Sequence, residues 1–284
     1  MKDYLKVAII QPSTDNRVAW NIFNPNFPYM DSCEAARTWK QINSGIHYVY
    51  TLTPSARLDI IVIPELCVAR QYQRLLRKLS DTTKSIIIAG LDYRCVKDKI
   101  QNRAIVVVPP RWPQDTGSPH GCSFTFGKKY FSHLEGEYVG KDNWQPCNDF
   151  YLLDTKDYGK IGFAICADFY DIERYSIYRG RIQHLIILAF NQDIKSFYFL
   201  AESISRLVFC NVIICNTGFY GGSVCFTPSK NDYERYRYKH EGLNLYTSQV
   251  VNLPVMELWK AQHEDKEALK KFKSIPPGYE YKDV

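Results

Sequence analysis

Gly159-Lys-Ile-Gly-Phe-Ala-Ile-Cys166-Ala-Asp168 reads as a short apolar strand ending in a cysteine, with a helix-like segment directly behind it. At such a junction the first free N–H groups of a helix stabilise a thiolate, which makes the sulfur nucleophilic near neutral pH. Three further stretches carry chemistry. Ile61-Val-Ile-Pro-Glu65-Leu66 sets a carboxylate at a strand end, Phe126-Gly-Lys128-Lys129-Tyr sets two ammonium groups late in another strand, and Glu135-Gly-Glu137-Tyr follows in a predicted turn. Each has an ordinary use: a buried small hydrophobe, a solvated loop acid, a strand edge kept soluble, a surface turn. Together they supply a nucleophile, a base and a cation, the roles that hydrolysis of a C–N bond demands. A thiolate attacks the carbonyl or nitrile carbon, a carboxylate takes the thiol proton and later activates water, and a fixed cation meets the developing oxyanion.

The elements that must position these groups alternate along the chain. Strands are predicted at Val7–Gln11, Asp59–Ile63, Ser85–Leu91, Ala104–Val108, Cys122–Phe131, Ile161–Ile165, His184–Ala189, Asn211–Asn216 and Gly222–Phe226. Several are apolar throughout, as strands covered on both faces must be. A helix capped by Asp31 or Ser32 carries Ala35, Trp39, Ile42, Ile46 and Val49 at 3-4 spacing; Val68–Leu79 turns Leu75, Leu76 and Leu79 to one face; Phe197–Phe209 and Val255–Phe272 supply two more. This rhythm predicts a layered α/β protein with some antiparallel pairing, and the site at strand ends.

Composition narrows the class. The chain has 284 residues, 45% of them hydrophobic and 14% aromatic, ample for a sizeable core. No linker, repeat or low-complexity tract divides it, so residues 1–284 are expected to form one domain; about 13–30 and 109–121 read as loops. The first apolar run is too short for a signal peptide, and no segment approaches the ~20 apolar residues of a membrane span. Nine cysteines without paired or zinc-like spacing predict a reducing, cytoplasmic setting. The net charge of +6 is modest, and the basic aromatic run Tyr233–His240 reads as a solvated face rather than a nucleic-acid site.

The ordered set resembles the nitrilase, or carbon–nitrogen hydrolase, superfamily almost from end to end. That family's Glu–Lys–Cys order is matched by Pro64-Glu65-Leu66, the Lys128-Lys129 pair and Cys166-Ala-Asp168. Val7-Ala-Ile-Ile-Gln11 resembles its first strand, and Gly90 with Asn102-Arg-Ala-Ile-Val its next pair. Glu173 occupies the place of a Pro-Glu after the nucleophile, and Arg206, Asn216 and Gly221-Gly222-Ser223 echo its C-terminal half. The resemblance implies Cys166 as nucleophile, Glu65 as general base, a lysine as oxyanion stabiliser, and Glu137 as the second glutamate that holds that lysine. It also assigns part of the oxyanion role to the main-chain N–H after Cys166. Similarity to the family's Tyr-x-Lys-x-His-Leu run favours Lys128, whereas a spacing of eight residues before Glu137 favours Lys129. Strand alternation sends the two side chains to opposite faces, so only one faces the cysteine.

The implied fold is a four-layer α-β-β-α sandwich, and the implied activity that of an amidase-type hydrolase on a small amide or carbamoyl compound, with no metal or organic cofactor. A homodimer or larger homo-oligomer is implied, joined through Ile172–Tyr178 and part of Phe197–Phe209. The missing Arg and Pro in Phe169-Tyr-Asp-Ile-Glu173 and the altered loops support an alternative: a nitrilase-like binding, assembly or sensor module in a larger complex. Tyr170, Phe190 and Phe219 are candidate pocket aromatics, with core packing their commoner use.

Overall fold

The computed structural model describes residues 1–23, 27–52, 57–113 and 117–283. Two six-stranded sheets face each other. In spatial order the first holds Thr247–Pro254, Tyr4–Gln11, Ile60–Val68, Ile86–Leu91, Arg103–Val108 and Cys122–Gly127. Tyr4–Gln11, Ile60–Val68 and Ile86–Leu91 run parallel, and the outer pairings are antiparallel. The second holds Tyr236–Lys239, Val224–Phe226, Asn211–Asn216, His184–Ala189, Lys160–Ile165 and Leu152–Asp154, with Lys160–Ile165, His184–Ala189 and Asn211–Asn216 parallel.

Alternation of side chains divides each central strand between two cores. Val7, Ile9, Ile60, Val62, Ile86 and Ile88 pack between the sheets against the second sheet's apolar residues. Ala8, Ile10, Ile61, Ile63 and Ile87 point outward and are covered by Ile42, Ile46 and Val49 of helix Ser32–Leu52 and by Leu76 of helix Gln73–Thr83. Helix Ile194–Ile204 covers the second sheet's outer face, burying Phe197, Tyr198 and Ala201. The result is the four-layer α-β-β-α sandwich.

Local signals held where caps were strong. Asp31 Oδ1 accepts the N–H of Cys33 at 2.9 Å and of Glu34 at 3.1 Å, which starts the long helix at Ser32. Other readings are corrected. Leu75 is 41% exposed, leaving Leu76 as the buried leucine of its helix. The predicted Val255–Phe272 helix is broken into Met256–Gln262 and Lys266–Leu269, because Glu264 sits at φ 62° and Asp265 caps the second piece. Strand Cys122–Phe131 stops at Gly127. The predicted turn at Glu135-Gly-Glu137 is helix His133–Val139, whose Ser132 and Glu135 form a capping box. The hairpin strands Arg94–Val96 and Lys99–Gln101, and the edges Leu152–Asp154, Tyr236–Lys239 and Thr247–Pro254, had no continuous apolar run to mark them.

Candidate active site

Glu65 stands where strand Ile60–Val68 leaves regular pairing with Ile86–Leu91. The register slips between Ile63 and Val68, because proline at 64 donates no ladder hydrogen bond and Leu66 turns to φ 58°. Gly90 makes room beneath the bend: a Cβ there would lie 2.3 Å from Glu65 Cα and 2.4 Å from Pro64 O. The carboxylate is thereby turned into the interior, 1% exposed.

Lys128 follows the last residue of strand Cys122–Gly127, and its N–H donates to Asn102 O at 2.9 Å. Its ammonium is also 1% exposed and lies 2.7 Å from Glu65 Oε1 and 2.6 Å from Glu135 Oε2. Lys129 points the other way, 3.4 Å from Asp171 and 3.2 Å from Glu173, although both lysines lie beyond the strand end at Gly127 and strand alternation does not set their directions.

Glu135, not Glu137, reaches this lysine. Glu137 is exposed and pairs with His133 one turn earlier on its own helix, 3.3 Å away. Glu135 is buried and held on both oxygens. Oε2 accepts the Ser132 N–H at 2.8 Å, and Oε1 accepts Asn102 Nδ2 at 2.9 Å and the Tyr93 hydroxyl at 3.2 Å. Asn102 Nδ2 also donates to Glu65 Oε1 at 2.8 Å, so one amide ties the two carboxylates. The missed sequence signal was Ser132-His-Leu-Glu135, the S-x-x-E pattern that starts a helix. Tyr93 had no comparable signal, and Asn102 was matched only as part of a strand.

Cys166 ends strand Lys160–Ile165 at φ 45°, a left-handed backbone that costs roughly 1–3 kcal/mol and lifts the side chain out of the sheet. The segment behind it is the short 3-10 turn Cys166–Tyr170 rather than a full helix. Burial, reinforced by the negative charge of Glu65, pushes the thiol above its ordinary value, against the smaller opposing pull of Lys128 and the Phe190 N–H. These influences favour the thiol over the thiolate, and a 3-10 turn stands where a helix end was expected to hold the anion. Glu65 is itself pushed up by burial and by Glu135, against the pull of Lys128. For Lys128, burial alone would lower the value, but Glu135 and Glu65 outweigh it and hold the ammonium charged. Glu135 is likewise opposed by burial but kept below the usual carboxylate range by Lys128. The site thus has a fixed cation, a fixed anion, and a carboxylate and thiol poised to exchange a proton.

Asp168 joins the two halves. Its carboxylate accepts the N–H groups of Lys129 and Tyr130 at 3.0 and 2.9 Å and pairs with Arg174 at 3.2 Å. Glu173 is a surface partner of Lys129, and Arg206 is exposed. Asn216 fastens a neighbouring loop, accepting from Asn191 N at 2.9 Å and donating to Gly221 O at 2.5 Å. In the basic run, Arg235 is paired with Glu202 and Asp232, and Lys239 with Glu241.

A cleft whose empty volume, open mouth included, is about 550 Å³ opens on Cys166, Glu65, Lys128 and Glu135. Trp20 and Phe27 from the long first loop line it, with Tyr93 and Phe190. Of the candidate aromatics, Phe190 faces the cleft, Phe219 packs behind it on Tyr220, and Tyr170 is half exposed on Phe197. Among the described residues no helix is long and apolar enough to cross a membrane.

No family model matches the chain, and no curated protein is similar to it in sequence. Solved structures are similar in fold. Nit3 of Saccharomyces cerevisiae, a member of branch 10 of the nitrilase superfamily, superposes with a TM-score of 0.67 at 15% identity, over 94% of this chain and 96% of that one. The amidase from Nesterenkonia sp. AN1, in complex with acrylamide, gives a TM-score of 0.63 at 10% identity over 94% and 96%. A second structure of that amidase shows the acetamide moiety of fluoroacetamide added covalently at its active-site cysteine; it gives 0.63 at 11% identity over 89% and 91%. The chain therefore has the fold of the nitrilase superfamily.

Proposed function

We propose that the whole chain works as a single carbon–nitrogen hydrolase unit of the amidase type, with Cys166 as nucleophile, Glu65 as general base, Lys128 as oxyanion stabiliser and Glu135 as the residue that fixes Lys128. The observation that carries this reading is the buried Lys128 ammonium, 2.7 and 2.6 Å from Glu65 and Glu135, on the wall of the cleft that holds the cysteine. A buried Glu–Lys–Glu set costs desolvation that a purely structural core avoids with apolar residues, so its retention fits chemistry.

In the proposed reaction Glu65 takes the thiol proton as sulfur bonds to the carbonyl carbon of an amide. The carbonyl π pair moves to oxygen, where Lys128 Nζ meets it. Lysine has three N–H donors, and two are committed to the glutamates, leaving one for the oxyanion. The Ala167 main-chain N–H is placed next in sequence to share that role. The tetrahedral adduct collapses as the C–N bond breaks, and Glu65 returns its proton to the departing nitrogen, giving ammonia or an amine and a thioester. Water, deprotonated by Glu65, then attacks the thioester; its collapse releases the acid and restores the thiol.

Intact-mass spectrometry after incubation with a panel of amides tests this. An acyl adduct that maps to Cys166 and is absent in Cys166→Ala is the expected result; release of ammonia or amine without any dependence on Cys166 would end the proposal.

The exposed side chains of Tyr170, Ile172, Phe199 and Leu207, at 54, 82, 72 and 55%, form an apolar face beside the cysteine turn. That face fits the expected homodimer. A cytoplasmic setting agrees with nine free cysteines.

A further inference from the structure

The acyl half of the substrate meets walls of one character. Beyond the four reacting side chains, the described lining consists of Trp20, Phe27, Leu66, Tyr93, Val139 and Phe190, with Asn16 and Ser132 as its polar members. Beside the lining residue Asn16, Asp15 pairs with Arg17 at 2.8 Å, and Glu34 pairs with Arg37 at 2.5 Å. Lys128 is committed to two carboxylates, and the Tyr93 hydroxyl to Glu135. A carboxylate or ammonium carried into this cleft would be desolvated against rings with no described counter-charge to meet it, which disfavours its binding.

The aromatic part is preformed. Trp20 meets Tyr93 edge-on at 6.0 Å and Phe190 at 5.4 Å. Its Nε1 donates to the buried Asp92 Oδ1 at 3.0 Å, and Asp92 Oδ2 also accepts the Met30 N–H at 2.8 Å, so one carboxylate fastens both arms of the first loop over the cleft. The Phe190 ring is held between Trp20 and Tyr220, which it meets edge-on at 5.4 and 5.7 Å.

From this the geometry points to a primary amide whose acyl group is uncharged and apolar, a single aromatic ring or a short branched chain, with Trp20 and Phe190 determining that preference. The inference rests on the amidase reading, since it names the acyl half of the same substrate.

Equilibrium binding to the folded Cys166→Ala protein separates the two. Benzamide and isobutyramide are titrated against succinamate, which carries a carboxylate, and glycinamide, which carries an ammonium. The neutral apolar amides are expected to bind at least roughly 30-fold more tightly, and active enzyme to show a kcat/KM preference on the order of 100-fold. In the Cys166→Ala background, Trp20→Ala should weaken benzamide binding about 10-fold; Trp20→Phe, which keeps a ring but releases Asp92, should weaken it less. Should either Trp20 variant misfold by circular dichroism, Phe190→Leu provides the same comparison. Equal or tighter binding of succinamate or glycinamide, or no benzamide binding by the folded protein, overturns the inference. Benzamide bound selectively but never acylating active Cys166 sinks the hydrolase reading alone and leaves the apolar preference standing.

Discussion

Glu135 reaches Lys128 at 2.6 Å because Ser132 starts a helix at the place where a turn would have carried the acid into solvent. The same carboxylate closes the capping box and neutralises the buried ammonium, so one residue serves the helix and the site.

Those two uses are separable. Glu135→Gln keeps an N3 side chain able to complete the capping box but removes its charge. We expect helix and fold to persist while kcat/KM falls on the order of 100-fold, as the Lys128 ammonium loses an anchor. Glu137→Gln should leave steady-state kinetics unchanged. The opposite ranking would return the role to Glu137.

The neighbouring lysines make a second matched pair. Lys128→Met leaves two buried carboxylates without their cation and should cost about 3–5 kcal/mol in urea unfolding, with activity abolished. Lys129→Met removes a partly exposed contact to Asp171 and Glu173 and should retain most activity. Comparable losses in both variants would mean that the two ammonium groups share the chemistry.

The pH profile follows from the Glu65 carboxyl, which burial and Glu135 raise above 4.5. Only its ionised form accepts the thiol proton, so kcat/KM and iodoacetamide labelling of Cys166 should fall as pH drops through a value above that of an ordinary glutamate. Glu65→Gln should erase this limb. For stability the sign is reversed: a raised carboxyl favours the folded state below 4.5 and loses that contribution as pH rises through its folded value. Glu135, held low by Lys128, contributes above 4.5 and loses its contribution as pH falls. Stability curves of Glu65→Gln and Glu135→Gln between pH 4 and 8 should therefore diverge from the parent protein in opposite directions.

Gly90 tests whether backbone placement of the base matters. In Gly90→Ala the new methyl meets Glu65 Cα and Pro64 O, main-chain atoms that cannot swing away. The expected cost is about 1–3 kcal/mol by thermal unfolding, together with a drop in kcat larger than any rise in KM. Unchanged kcat would show that Glu65 tolerates displacement.

Much of the fold was legible because central strands buried on both faces are written as apolar runs. His184–Ala189 and Asn211–Asn216 were read to the residue. Edge strands such as Leu152–Asp154 and Tyr236–Lys239 were silent, since short, half-exposed segments need no such run. In the candidate site, Cys166, Glu65 and Lys128 could be brought together from the sequence because each lies at or just past a strand end and matches a motif of the resembled family. Glu137 was assigned by resemblance alone, and Glu135 was missed because the capping pattern begun by Ser132, which turns Glu135 inward, was not read. Tyr93 and Asp92 act through long-range partners, Glu135 and Trp20, that no local window contains.

Glu65 and Lys128 lie in or just past strands of one sheet and Cys166 and Phe190 just past strands of the other, with the Asp168 carboxylate accepting main-chain N–H groups across the divide. The proposed activity would consequently be a gauge of how the two sheets are seated on each other. A denaturant dose too mild to dissolve either sheet, yet enough to let them shift slightly, should abolish the proposed turnover while the far-ultraviolet dichroism of the chain is still intact.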